Sequence, residues 1–318
     1  MMDLSIVIPF YKGASYINKC IQSIINAYAW SRQLIRYELI VVVDSPDEDS
    51  IIFMERMKTQ YIDAMSLKIY VNDCNRGVAW SRNYGLSQSK CTFVTFIDQD
   101  DWMNFNYFSV LEKQLDNRYD CLLLNGYWYF SERKKYKQVH FVKPDFSFEA
   151  ILRQRYPAPT PGLVIFNRQR LLSDNLFPDI SDEYKGCDDW AAYLQLSLER
   201  KSLKCCYVAT PIFIICKHNS NYSSSLMHMF LCDFAVLEHF RKLLPEGKRK
   251  RLMDTIIKLK YFRIDRDVHR MTRKELIKKH GLAVYCQYLY NKRIFWRYIG
   301  WWINKKRFAL FGRIDIRD

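Results

Sequence analysis

Apolar residues follow two rhythms along the first hundred positions. Short runs that are apolar throughout alternate with longer stretches in which apolar residues recur every third or fourth position. "LSIVIP" (4–9), "ELIVVV" (38–43), "LKIYV" (67–71) and "TFVTFI" (92–97) are of the first kind. They predict buried strands, the first of them ended by Pro9. Between them, Ile17, Ile21, Ile24, Ile25 and Tyr28 share one face of a helix, with Ser15 as its N-cap. Ile51, Met54, Tyr61, Ile62 and Met65 mark a second helix, and residues 77–89 a third. Continuously apolar strands separated by amphipathic helices predict an α/β protein with an open, mostly parallel sheet flanked by helices. In such sheets ligands bind beyond the carboxyl ends of the strands.

After residue 104 the pattern is less regular. It predicts a helix over 107–115, strands over 121–130 and 162–167, a helix over 188–200, and a strand over 207–216 interrupted at Pro211. From 227 onward the chain reads as helical, basic and aromatic. Composition sharpens that boundary. The chain has 318 residues and a net charge of +15, and residues 227–318 hold 23 Lys and Arg against 9 Asp and Glu. The expectation is a core domain over 1–226 and a basic helical extension over 227–318. At 49% hydrophobic the chain can bury a large core. No run of about 20 apolar residues predicts a membrane-crossing helix. "MMDLSIVIPF" lacks the features of a secretory leader, and the ten cysteines lack metal or redox spacing. A cytoplasmic protein with reduced thiols is therefore expected.

The extension calls for an anionic partner. In "NKRIFWRYIGWWINKKRF" (291–308), a helical wheel puts Ile294, Tyr298, Trp301 and Trp302 on one face and Arg293 and Arg297 on another. That suits the plane of an anionic membrane surface, which would make the protein peripheral on the inner face of the cytoplasmic membrane. A helical subdomain packing its aromatics on the core is the alternative. Nucleic acid is disfavoured, because no binding motif accompanies the charge.

The candidate chemistry sits in "FVTFIDQDDW" (93–102), where Asp98, Asp100 and Asp101 follow a buried strand. Three adjacent carboxylates repel one another unless a cation is shared, and their oxygens suit Mg²⁺ or Mn²⁺. A solvated acidic loop is the plain alternative. Asp44 ends the second strand, so it and the acid cluster should meet at one cleft; capping of the following helix is its other possible role.

These blocks resemble glycosyltransferase family 2, whose members share the GT-A (Rossmann-like) fold and use nucleotide-diphospho-sugars. The likeness is carried by "SIVIPFYKGASYINKCIQSI" (5–24), "ELIVVVDSPDEDS" (38–50), "NRGVAWSRNYGLSQSKCTFVTFIDQDD" (75–101), "NLFPDISDEYKGCDDW" (175–190) and "KHNSNYSSS" (217–225). It is dense over 4–102, scattered to about 226 and absent beyond. The resemblance implies inverting transfer of a sugar to an acceptor hydroxyl, in polysaccharide or glycolipid synthesis. UDP-sugar is the expected donor, and a saccharide or lipid-linked molecule the acceptor. It implies Asp44 at the nucleobase, with Pro9 and Tyr11 lining that pocket, and Asn75, Gly77 and Arg82 over the nucleotide and diphosphate. Of the DXD motif, Asp98 supports the donor, Asp100 touches the ribose, and Asp101 is the principal ligand of Mn²⁺ or Mg²⁺. His218 would sit by the metal, and Asp189 would be the catalytic base, supported by Asp188. The family's Gly-Ser after the base-binding acid is Ser45-Pro46 here. A sugar-phosphate nucleotidyltransferase, or an inactive nucleotide-sugar binder or membrane scaffold, are the alternatives; the first normally opens with a Gly-rich basic loop that "PFYKGASY" (9–16) lacks.

Overall fold

The computed structural model describes residues 2–61, 66–140, 143–153, 158–171, 175–180, 186–200, 203–218 and 225–288. The four apolar runs form β1 (Met2–Phe10), β2 (Ile35–Val43), β3 (Leu67–Val71) and β4 (Phe93–Phe96). The amphipathic stretches form α1 (Ala14–Ala29), α2 (Glu48–Gln60) and α3 (Val78–Gln88). β1 pairs in parallel with β2 and β4, and β2 with β3. Ile6, Val7 and Ile8 on β1 and the whole run from Leu39 to Val43 on β2 are buried, which is why these strands are apolar at every position.

The second half adds β5 (Trp102–Met103), α4 (Tyr107–Leu111), β6 (Cys121–Phe130), β7 (Lys135–Gln138), α5 (Phe148–Leu152), β8 (Val164–Asn167), α6 (Asp188–Glu199) and β9 (Cys205–Lys217). The sheet order is β3-β2-β1-β4-β8-β6-β9-β5, with β7 paired to β6. β8 runs antiparallel to β4 and β6, and β9 lies between β6, to which it is parallel, and β5, to which it is antiparallel. The sheet is thus parallel in its first half and mixed in its second. Pro211 falls where the β6–β9 register shifts, so its missing N–H lies at an irregularity.

Two local expectations are corrected. Pro9 does not end β1: it is buried within the strand, in register with Val42. Phe10 O accepts from Asp44 N and Val7 O from Ile97 N. The alternation turns residue 9 toward β4, whose pairing with β1 stops at Val7–Phe96, so the missing N–H falls at the end of that ladder while the pairing with β2 continues to Phe10. Ser15 does not cap α1. The helix already begins at Ala14, after Gly13.

α3 crosses β1 and β2 at close range through Gly85. A Cβ there would lie 2.3 Å from Val7 Cγ1. Gly85→Ala is expected to push α3 off the sheet and destabilise the protein by about 1–3 kcal/mol, read as a lowered urea midpoint at unchanged m-value.

The chain divides into two compact units, Met1–Val236 and Leu237–Asp318. α7 (Leu226–Leu243) runs across the division. The second unit holds α8 (Lys248–Asp267) and α9 (Arg273–His280). Thr272 and Glu275 form a reciprocal capping box at the start of α9. The buried Asp265 carboxylate binds Lys279, His269 and His280, which ties α9 to α8. Among the described residues, no helix is long and apolar enough to cross a membrane. The aromatic and basic stretch 291–308 lies outside the described residues.

Candidate active site

The candidate site lies in the first unit, at the carboxyl ends of β1, β2 and β4. Asp44 follows β2 directly and is buried. Its Oδ1 accepts from Asn72 Nδ2 at 2.7 Å and Arg76 N at 2.8 Å, and its Oδ2 accepts from Gly77 N at 2.8 Å. Asp44 therefore brackets the 72–77 loop, which leads into α3. It does not cap α2; Asp47 does, through Ser50 N. Gly77 has φ of 89°, a conformation that glycine alone adopts freely, so its N–H can reach Asp44. Asn75 is exposed on the same loop, and Tyr11 is exposed on the loop after β1. Gln99, between the acids, grips the backbone of Tyr11 at both ends: Oε1 accepts from its N–H at 3.0 Å and Nε2 donates to its carbonyl at 3.1 Å.

The acids after β4 take three different environments. Asp98 pairs with Arg82 of α3, and the other nitrogen of the same guanidinium pairs with Asp188 at the start of α6. Arg82 is buried and lies over the Phe177 ring, 5.3 Å from its centroid. Burial works against its charge, but Asp188, Asp98 and Asp189 outweigh that and hold the guanidinium firmly protonated. Arg82 thus places one terminal nitrogen on each of two carboxylates. It joins the strand-end acids to α6.

Asp101 points inward. It is 3% exposed, and its carboxylate accepts from Cys216 N on β9 at 2.8 Å and lies 3.4 Å from the Thr160 hydroxyl. Burial, then the charges of Asp100 and Asp98, push its carboxyl up. Asp100 instead meets His218, with Oδ2 and Nε2 2.9 Å apart, and Tyr16 of α1 stacks on the His218 ring at 4.7 Å. Burial and Asp98 raise Asp100, while His218 lowers it. Asp100 thus faces the His218 imidazole, whereas Asp101 is bonded to the backbone of β9. Among the described residues, no group of three His, Cys, Asp or Glu side chains is placed to hold an ion by itself.

Asp188 and Asp189 open α6, after Cys187 in a left-handed conformation. Asp189 is half-buried and accepts from Trp190 N at 2.7 Å. Its carboxyl is raised to about 7, first by burial and then by the neighbouring Asp188 carboxylate, with Arg82 opposing. A carboxyl that titrates near neutrality can take a proton at physiological pH.

Sequence reading missed Asn72, Thr160, Gln99 and Tyr16. Tyr16 alone left a trace, since it stands beside the apolar face of α1; the other three reach Asp44, Asp98 and Tyr11 from at least 28 positions away.

Where the strand order changes direction between β1 and β4, the α/β fold gathers the strand-end acids and, through Arg82, the start of α6. The chain belongs to glycosyl transferase family 2, whose model matches residues 5–172. It is 30% identical over 125 residues to the minor teichoic acid biosynthesis protein GgaB of Bacillus subtilis, which covers 36% of this chain and 13% of that protein. It is 24% identical over 139 residues to the glycosyltransferase GlyA of Streptococcus pneumoniae, covering 44% of this chain and 19% of GlyA. The match thus spans less than a fifth of these two relatives. Among solved structures, S. aureus TarS 1–349 in complex with UDP-GlcNAc superimposes with a TM-score of 0.58 at 18% identity, covering 89% of this chain and 79% of that one. This likeness establishes the GT-A fold.

Proposed function

We propose that the protein transfers a sugar from a UDP-sugar to an acceptor hydroxyl with inversion at the anomeric carbon, in the synthesis of a cell-surface polysaccharide. The observation that carries this reading is Asp189. It is a half-buried carboxyl raised to about 7, next to an ion-paired supporting acid, in the same site as the strand-end acids. Relatives support the donor and the pathway: solved TarS structures carry UDP and UDP-GlcNAc, and GgaB is named for teichoic acid synthesis.

In this mechanism Asp189 removes the proton of the acceptor hydroxyl as its oxygen attacks the sugar. Asp188, held by Arg82, keeps Asp189 raised and oriented. The Asp44 bracket and Gln99 shape the loops on either side of the nucleotide, with Tyr11 and Asn75 at its rim. Asp98 is fixed by Arg82 and supports the donor pocket. The donor chemistry fits Mn²⁺ or Mg²⁺, since crowded carboxylates raise one another and one carboxylate oxygen lies 2.9 Å from an imidazole nitrogen. Asp100 and His218 would hold the ion, and the ion would neutralise charge on the departing diphosphate. The protein acts at the cytoplasmic face of the membrane in this reading, where UDP-sugars are made.

The reading is tested by UDP release from a panel of UDP-sugars with Mn²⁺ and with chelator. Turnover of at least one donor is expected, abolished by chelator and restored by Mn²⁺. Asp100→Ala should weaken the apparent affinity for Mn²⁺ by at least about tenfold. Failure to bind or cleave any UDP-sugar would refute the assignment.

A further inference from the structure

One patch of the first unit is not used by this mechanism. It starts one residue from the acid cluster, at Trp102 after Asp101. On β6 and β7, Tyr129 and Tyr136 are cross-strand partners, with ring centroids 4.8 Å apart. Trp102 meets Tyr129 at 5.5 Å. Lys19 lies one turn beyond Tyr16 on α1, and its ammonium sits 3.6 Å from the Trp102 ring centroid. Since Tyr16 stacks on His218, the ladder Trp102–Tyr129–Tyr136 continues the wall of the site outward.

The outer end is strongly basic. From the turn after β6 into β7 the hairpin reads Arg133, Lys134, Lys135, Tyr136, Lys137, against the single acid Glu132. All four cations are exposed, and none forms an ion pair among the described residues. Sugar rings present apolar C–H faces that lie on aromatic rings, and unpaired Lys and Arg attract phosphate or carboxylate. Trp102 and Tyr129 are half-buried and meet edge to face, their planes inclined at 60°, as a floor; only Tyr136, at 57%, is well exposed. That suits an extended chain lying across the floor, whereas membrane insertion needs aromatics that project outward.

We propose that Trp102, Tyr129 and Tyr136, with Lys19 and the hairpin cations, form the acceptor subsite, and that the acceptor is an acidic saccharide chain. Rings of the chain lie on the ladder, its acid groups meet the hairpin, and its terminal hydroxyl reaches the site beyond Trp102. This rests on the transfer reading above and adds the acceptor's chemical class.

The test is titration calorimetry of the full chain with a phosphomannan oligosaccharide and its dephosphorylated counterpart. UDP is titrated separately, and anionic phosphatidylglycerol vesicles serve as a third probe. The phosphorylated oligosaccharide should bind more tightly than the neutral one. Tyr136→Ala should weaken both by about fivefold or more. Lys135→Glu should weaken only the phosphorylated form. Both residues are exposed, so both variants should fold and bind UDP as the parent does. Equal binding of the two oligosaccharides, unchanged binding by both variants, or loss confined to the vesicles would overturn the proposal. Oligosaccharide binding with no UDP binding would leave the subsite standing and strike the transfer reading instead.

Discussion

Asp189→Asn is expected to lower kcat by at least about a hundredfold while the Kd for UDP-sugar stays within about twofold of the parent. A positioned general base contributes about 10²–10⁴ to rate, and the amide keeps the shape while losing the basicity. The pH profile gives an independent readout. Asp189 works as the carboxylate, and its carboxyl is raised to about 7. Activity should therefore be full above neutrality and fall tenfold per unit as the pH drops below about 7. An ordinary surface aspartate would place that limb near 4. Asp188→Asn removes the nearby charge that helps raise Asp189, so it should shift the limb to lower pH as well as slow the reaction. A profile that stays flat from pH 8 to pH 5 in the parent would remove Asp189 from the base role.

Arg82→Met is expected to be the most destabilising change in the first unit, at about 3–5 kcal/mol. Arg82 is buried, and it alone neutralises both Asp98 and Asp188. Removing one partner of a buried ion pair leaves the others as uncompensated charges in a poorly solvated place. Lysine should not rescue it, since a point ammonium cannot address two carboxylates in the fork that the guanidinium spans. Chemical denaturation measures the loss. The double variant with Asp98→Asn should recover part of it, because one stranded charge is then gone. A change below about 1 kcal/mol for Arg82→Met would show that the pairs contribute little.

The elements were more legible than the interactions. β6 and α6 begin where the apolar pattern starts, at Cys121 and Asp188, because buried strands and amphipathic helices leave local periods. Pro9 was misleading for a local reason. Proline normally ends a central strand, but here its missing N–H falls on the β4 side, at the end of that ladder, while β2 goes on pairing to Phe10. The site posed a different problem. Asp100 and Asp101 are adjacent and chemically identical in sequence, yet one faces His218 and the other is turned into the protein. What separates them is the N–H of Cys216, 115 positions away. Arg82 likewise looks like a surface arginine until its partners, 16 and 106 positions off, are in place. Residue type could nominate these groups, but only long-range topology decides which oxygen meets which donor.

The seat of β9 has a consequence for how the protein is made. This strand inserts between β6 and β5 and fixes Asp101, although it comes more than a hundred residues later in the chain. A ribosome that has delivered residues 5–172, the stretch matched by the family model, has exposed neither β9 nor α6. At that moment Arg82 lacks one of its acids, Asp101 lacks its backbone donor, and β6 presents an open edge to the cytosol. The early α/β layer can collapse first, but the edge that carries the acids must wait for the last strand. The nascent chain is thus most exposed to aggregation and to chaperones in the interval between synthesis of the acid cluster and synthesis of Cys216.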